Sequence, residues 1–414
     1  MTRNTVIRGV LDGLAYWPRR AWHCLIDGGW KAVLCRVLGL GAVAAIGGLL
    51  FVALGLPSIA ASQPHWPVTK RLLEIVMTHT VRMRTLGEQA PPLDDPALVL
   101  RGAGHYATGC APCHSAPGQR ASLIVQGMLP SPPKLPEDMH NLAPSEMFWI
   151  VKHGLKYTSM PAWPAPKRED EVWAMVAFLR ALPSLDPAEY RRLAYGELMP
   201  EAGIGRDGAY LATLQTPPQT ALANCARCHG EDGTGRGLGA FPKLAGQRET
   251  YLLASLRAYG SGERHSGVMQ PIAAGLSDPQ MRALARHYAS LAPTGATPAV
   301  GTPAANPGHD ADLIARGERL ATDGDAPRRI PACRQCHGPG AVVRHPLHPD
   351  LANQYRDYLA LQLQLFRDGH RGGTPRAHVM RHAALALTPG DIDALSAYYA
   401  SLPAPAPAAA RAAR

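Results

Sequence analysis

Cys110-Ala-Pro-Cys113-His114, Cys225-Ala-Arg-Cys228-His229 and Cys333-Arg-Gln-Cys336-His337 set the reading of this 414-residue chain. Each is Cys-x-x-Cys-His, the pattern through which a c-type haem is attached covalently. Two thiols three positions apart on a helical turn can form thioethers to the two vinyl groups of one porphyrin. The next residue then aims an imidazole at the iron from the same side. A zinc centre would need its two thiol pairs close together in the fold, and these pairs lie more than a hundred residues apart. A thioredoxin-like pair needs no following histidine, yet all three pairs have one. The motifs therefore predict three covalently bound c-type haems and the movement of single electrons, with His114, His229 and His337 as proximal iron ligands.

A haem iron takes two axial ligands. Downstream of each motif stands a methionine: Met160 in His153-Gly-Leu-Lys-Tyr-Thr-Ser-Met160-Pro-Ala-Trp163, Met269 in Val268-Met269-Gln-Pro-Ile, and Met380 in His378-Val-Met380-Arg-His382. They follow their histidines by 46, 40 and 43 residues, close enough for one architecture used three times. A methionine more often fills a core, but position and recurrence favour ligation here. No proline follows Met380, and His370, His378 and His382 stand nearby as alternatives at the third site. His/Met coordination raises the reduction potential and leaves no open position on the iron. That pattern argues against a peroxidase or nitrite-reducing site, and no catalytic residues are expected.

Outward from the motifs, residues 187–293 and 309–402 read as an internal repeat. Pro242-Lys-Leu-Ala-Gly-Gln247 matches Pro349-Asp-Leu-Ala-Asn-Gln354, and Tyr288-Ala-Ser-Leu matches Tyr399-Ala-Ser-Leu. Met269 lies seven residues before Leu276, as Met380 lies seven before Leu387. The expected organisation is a basic cytoplasmic segment (1–36), a transmembrane anchor (37–61), a stalk (62–95), a first haem domain (96–186), a second (187–293), a linker (294–308), a third haem domain (309–402) and a disordered tail (403–414). The fold class is all-α: three helical haem domains in tandem plus one N-terminal transmembrane helix. In each domain a closing amphipathic helix is expected, from Glu169, Pro279 and Asp391 onward, with Asp278 and Thr388 as N-caps. Its aromatics are read as core.

From Val37 to Ala61 there is no charged residue, and the first 20 of these residues would cross the roughly 30 Å apolar core of a bilayer as a helix. The flank before it carries Arg3, Arg8, Arg19, Arg20, Lys31 and Arg36 against Asp12 and Asp27. By the positive-inside rule the N-terminus stays cytoplasmic and the haem domains are periplasmic. A cleaved signal peptide is the alternative, with small-residue sites near Ala60. The long basic region and long apolar run favour an uncleaved inner-membrane anchor. Cys24 and Cys35, outside the motifs, are expected to be reduced. The net charge of +10 is largely accounted for by the basic N-terminal flank, the tail and the offsetting haem propionates. Nucleic-acid binding is not expected, because the basic residues are scattered.

These residues resemble class I cytochromes c over about three quarters of the chain. The first domain is similar to haem domains fused to or partnered with oxidases and dehydrogenases, through Gly102, His153-Gly-Leu and Met160-Pro-Ala-Trp163. The second and third resemble the two halves of cytochrome c4-like proteins, through Cys-x-x-Cys-His-Gly, Pro-x-Leu-Ala-x-Gln and Met269-Gln-Pro-Ile. The whole resembles triheme cytochrome subunits of membrane-bound alcohol and gluconate dehydrogenases, and triheme cytochromes that accompany haem–copper oxidases. The N-terminal span and the polar tail favour the second group. The resemblance implies an electron carrier without catalysis of its own, in a respiratory chain leading to a haem–copper terminal oxidase. The alternative partner is a periplasmic alcohol or sugar dehydrogenase. It further implies that a proline carbonyl after each motif orients the proximal histidine: Pro242, Pro349 and either Pro133 or Pro136.

Overall fold

The computed structural model describes residues 29–138, 142–196, 218–293, 307–337 and 345–404, and the chain divides into two compact units, Met1–His65 and Trp66–Arg414.

The first unit holds α1, Trp30–Ala53, a helix of 24 residues. At about 1.5 Å per residue it is long enough to cross a bilayer core, and its composition is apolar enough to do so. Val37, Leu40, Val43, Ile46 and Leu49 all point outward, as they would toward lipid. The helix begins ahead of the uncharged run at Val37, so Lys31 and Arg36 lie in its first turns. It stops short of Ala61 because Gly55, at φ +67°, and then Pro57 follow. Cys35 is disulfide-bonded, not the reduced thiol expected from the sequence; Cys24 lies outside the described residues.

In the second unit the regular structure among the described residues is helical, with one isolated bridge, Asp325 to Ile330, and no strand. α2 spans Pro67–Arg84. α3 (Pro96–Gly109), α4 (Pro144–His153), α5 (Glu169–Ala181) and α6 (Pro187–Tyr195) build the first haem-motif region. α7 (Pro218–His229), α8 (Glu249–Gly260) and α9 (Asp278–Ser290) build the second. α10 (Pro307–Asp323), α11 (Arg356–Arg367), α12 (Ala377–Ala384) and α13 (Pro389–Ser401) build the third.

The starts of these helices follow from local chemistry. Proline tolerates the first helical turn, where its missing N–H would be unpaired anyway. Asp95 caps α3 by accepting from Ala97 N at 2.9 Å, and Asp186 caps α6 from Ala188 N and Glu189 N. Ser277 with Gln280 and Thr388 with Asp391 close capping boxes on α9 and α13. Thr388 is the expected cap. On α9 the cap is Ser277, and Asp278 is the first helical residue instead.

The first and last helices cross at a glycine in two of the three regions. A methyl group on Gly102 of α3 would collide with the Ala174 carbonyl and the Phe178 Cβ of α5. One on Gly317 of α10 would collide with the Ala394 carbonyl and the Tyr398 Cβ of α13. Around the first crossing Tyr106, Val172, Val176, Phe178 and Tyr190 are buried in one core; around the second, Leu320, Ile392, Leu395, Tyr398 and Tyr399 are. The closing-helix aromatics are therefore packing residues. Trp173 lies at the rim, half-buried and stacked on Phe148 at 4.2 Å.

The first and second regions share an apolar contact of Ala97, Leu100, Cys228, Ala240 and Phe241. Arg101 Nε donates to the Ala240 carbonyl at 3.1 Å, and Arg236 reaches back to the Arg192 and Leu193 carbonyls at 2.6 and 2.8 Å.

Candidate haem sites

Each Cys-x-x-Cys-His is one turn of helix. His114 N donates to the Cys110 carbonyl, and His337 N to that of Cys333, both at 2.9 Å; the second motif is the last turn of α7. All six thiols of the motifs are free. Burial pushes Cys110 and Cys225 up to about 12 and Cys333 up to about 11, so these thiols are neutral and can sit beside an apolar macrocycle.

The three histidines are held alike. Nδ1 of His114, His229 and His337 bonds the carbonyl of Pro133, Pro242 and Pro349 at 2.9, 3.2 and 2.9 Å. Pro242 and Pro349 are the positions expected, and at the first site the partner is Pro133. Nδ1 donates in each bond, because a carbonyl only accepts, so the lone pair lies on Nε2. Burial lowers the pKa of all three against the pull of these carbonyls, to about 4 for His337. Neutral imidazole is the form that binds a metal.

On the far side, Nε2 of His337 lies 3.4 Å from the Met380 sulfur. The rival His382 turns Nδ1 onto the His378 carbonyl of its own helix at 2.8 Å. Met160 and Met269 are half-buried, Met160 on the loop after α4 and Met269 as the first residue of a short helix, Met269–Ala274. Gly154 ends α4 at φ +64°, and a Cβ there would strike the backbone of Met160, Pro161 and Ala162. That close approach lets Leu155 N reach the Met160 carbonyl at 3.2 Å and Trp163 N the Lys152 carbonyl at 3.0 Å. Ser266 Oγ accepts from Met269 N at 3.0 Å.

One buried carboxylate, 6% exposed, joins the Met160 and Met269 loops. Glu171 accepts from Trp163 Nε1 at 3.1 Å, Ser266 Oγ at 2.6 Å and Gly267 N at 2.6 Å, and pairs with Arg168 at 3.0 Å. Burial pushes its carboxyl up; Arg168 pulls the other way. Glu171 is the third residue of α5, the place from which Gln280 and Asp391 cap their own helices. Arg168, at the N-cap of α5, makes no side-chain cap, and the acid at the third position serves the neighbouring region instead.

The second and third regions meet face to face. Gln354 bonds both backbone groups of Lys243, and Gln247 both backbone groups of Asp350, at 2.9–3.1 Å. Arg248 pairs with Asp350 at 2.9 Å. Behind this contact Arg371 donates to Tyr251 Oη at 2.9 Å. Burial alone would raise the Tyr251 phenol, but Arg371 and Arg264 hold it down at about 8.

The family described as cytochrome c oxidase, cbb3-type, subunit III matches residues 97–179, and the cytochrome c family matches residues 218–292. A thiosulfate dehydrogenase electron acceptor from Thiomonas intermedia is 38% identical over 45% of this chain and 81% of its own length. The chain is a class I c-type cytochrome. A second thiosulfate dehydrogenase electron acceptor, from Stutzerimonas stutzeri, is 37% identical over 47% of the cytochrome and 86% of its own length. Cytochrome c4 of Pseudomonas aeruginosa is 35% identical over 44% of the cytochrome and 86% of its own length.

The cytochrome carries covalently bound c-type haem and is an electron carrier rather than an enzyme. The residues fit that group: paired thiols, an imidazole fixed through Nδ1 with its lone pair on Nε2, and at the third region a thioether facing that Nε2. The haem supplies a reversible one-electron change at iron. The protein fixes the imidazole on its proline carbonyl. Three contributors were not legible in the sequence: Glu171, Gly317 and the choice of Pro133. Glu171 stands in an ordinary acidic first turn beside Glu169 and Asp170. Gly317 lies 16 residues before Cys333, where Gly102 lies eight before Cys110.

Proposed function

We propose that the cytochrome is a triheme electron carrier of three cytochrome c domains, read from the sequence as 96–186, 187–293 and 309–402, with α6 (Pro187–Tyr195) joining the core of the first rather than opening the second. The haems would be attached at Cys110 and Cys113, Cys225 and Cys228, and Cys333 and Cys336. The iron ligands would be His114 with Met160, His229 with Met269, and His337 with Met380. The observation that carries this reading is the third copy of the proximal geometry, His337 on Pro349 with Met380 opposite. His/Met ligation keeps the potentials high, which suits delivery to a strong oxidant. On this reading α1 is an uncleaved anchor, the haem domains are periplasmic, and electrons leave toward a haem–copper terminal oxidase. The match of residues 97–179 to a cbb3-type oxidase subunit supports that direction. The similarity to two electron acceptors of thiosulfate dehydrogenase favours a second reading for the input side, in which a periplasmic dehydrogenase is the donor.

The test is direct. The purified chain should retain three haems after acid–acetone extraction, and its mature N-terminus should precede α1. Two haems would remove the third domain from the reading, and a start near Ser62 would make α1 a signal peptide. Reduced cytochrome should be reoxidised by membranes containing a haem–copper oxidase and stay reduced when that oxidase is inhibited. Reoxidation indifferent to the inhibitor would overturn the oxidase assignment.

A further inference from the structure

The peptide group between Pro242 and Lys243 is engaged at both ends. Its carbonyl accepts from His229 Nδ1 at 3.2 Å, and its N–H donates to Gln354 Oε1 at 2.9 Å. The peptide group between Pro349 and Asp350 repeats the arrangement. Its carbonyl accepts from His337 Nδ1 at 2.9 Å, and its N–H donates to Gln247 Oε1 at 3.1 Å. Each glutamine amide also donates to the next carbonyl, Gln354 Nε2 to Lys243 O at 3.0 Å and Gln247 Nε2 to Asp350 O at 2.9 Å. Each Oε1 is further fixed by the N–H that follows it, Tyr355 N at 3.1 Å and Arg248 N at 2.9 Å. Gln354 is buried, 8% exposed. These clamps are therefore two-point and held in place from behind.

Hydrogen bonds in series polarise one another. An acceptor on a peptide N–H moves electron density toward that peptide's oxygen. The oxygen then draws harder on the imidazole Nδ1–H, and the imidazole becomes a stronger electron donor through Nε2. Partners of this kind tune an iron ligand. A stronger donor favours the oxidised iron and lowers its potential.

We propose that Gln354 is a positioning residue for His229, and Gln247 for His337, so that each of the two modules sets the haem potential of the other. The inference rests on the assignment of His229 and His337 as iron ligands. The crossing is its signature: a glutamine acts on the haem that its own module does not bind.

The experiment uses the full-length, haem-loaded protein and its Gln354→Ala and Gln247→Ala variants. The potential of each haem is titrated, and the Nδ1 protons of the proximal histidines are followed by NMR in the reduced state. Gln354→Ala should raise the potential of the second haem and move the His229 Nδ1 proton upfield, leaving the first and third haems in place. Gln247→Ala should do the same to the third haem and His337. A glutamine that only glued the modules would, when removed, admit water to both sites. Water stabilises the more highly charged oxidised iron, so both potentials would fall together. A joint fall, a shift confined to the glutamine's own module, or no shift would each overturn the proposal. Should the alanine variants not assemble, Gln354→Glu and Gln247→Glu keep an acceptor for the peptide N–H. Each should lower the potential of the opposite haem most; an equal or own-module shift would overturn the proposal. A parent protein in which either haem lacked the low-spin spectrum of histidine ligation would overturn the ligand assignment instead.

Discussion

Met380 tests the ligand assignment most sharply, because it has rivals within two residues. Its sulfur lies 3.4 Å from His337 Nε2, whereas His382 bonds the His378 carbonyl through Nδ1, which leaves its Nε2 as the rival ligand. Met380→Ala should remove one haem's share of the far-red thioether-to-iron absorption and lower that haem's potential, since a thioether favours ferrous iron more than water or imidazole does. A variant with the band and all potentials unchanged would move the ligand to His378 or His382. Asp391 gives the residue-scale pH prediction. Burial raises its pKa, but hydrogen bonds from Arg328, Thr388 and Arg316, each at 2.7 Å, outweigh that and hold it below the ordinary carboxylate range. A depressed native value contributes stability that is fully present above the unfolded pKa of about 3.9. It is lost as pH falls through the native value. Asp391→Asn should therefore lower the melting temperature of the third region near neutrality and flatten its decline below about pH 4. A parallel decline in both proteins would show that other groups govern the acid limb.

At the scale of elements, the crossings at Gly102 and Gly317 permit no side chain. Overpacking of this kind costs about 1–3 kcal/mol where neighbours can yield, and here the obstacles include backbone carbonyls. Gly317→Ala should lower the melting temperature of the third region by several degrees, about 4–8 °C per kcal/mol for a domain this small. An unchanged melting profile would mean that α10 and α13 do not touch. Which elements form was legible from sequence, because proline after a capping residue announces a helix start and each motif announces a turn. The one-residue slip from Asp278 to Ser277 arose because both can cap and both precede Pro279. Gly317 escaped notice because the third region inserts extra residues, including the Asp325–Ile330 bridge, between the crossing and its motif. Pro133 and Pro136 are equivalent as text; only the path of the loop brings one carbonyl to His114.

Across the whole molecule, the regions of the second unit form a continuous body. Gln247 and Gln354 join the second and third, and Glu171 helps join the first and second. Glu171→Ala would leave three donors without an acceptor and Arg168 with Asp170 as its remaining acid. Removing one partner of a buried pair typically costs about 3–5 kcal/mol. Calorimetry should show a single transition of the first two regions splitting into two, with the third unaffected. A uniform fall of one unsplit transition would assign Glu171 to the first region alone. Glu171 could not be singled out from sequence because its partners Ser266 and Gly267 lie about 95 residues away.

The order of parts along the chain has a consequence in time. In every region the thiols and histidine come first, their proline carbonyl follows 19, 13 or 12 residues later, and the methionine comes more than twice as far on. Synthesis runs in that same direction. On the proposed ligation, each nascent site would stand for a while as an open half-shell, its attachment residues made and its methionine not yet made. A bulky macrocycle could approach that half-shell before the methionine segment folds over it. A chain ended shortly after Pro136 should therefore still acquire covalent haem at Cys110 and Cys113, visible as a coloured band on a denaturing gel. A colourless product would mean that attachment waits for the closed pocket.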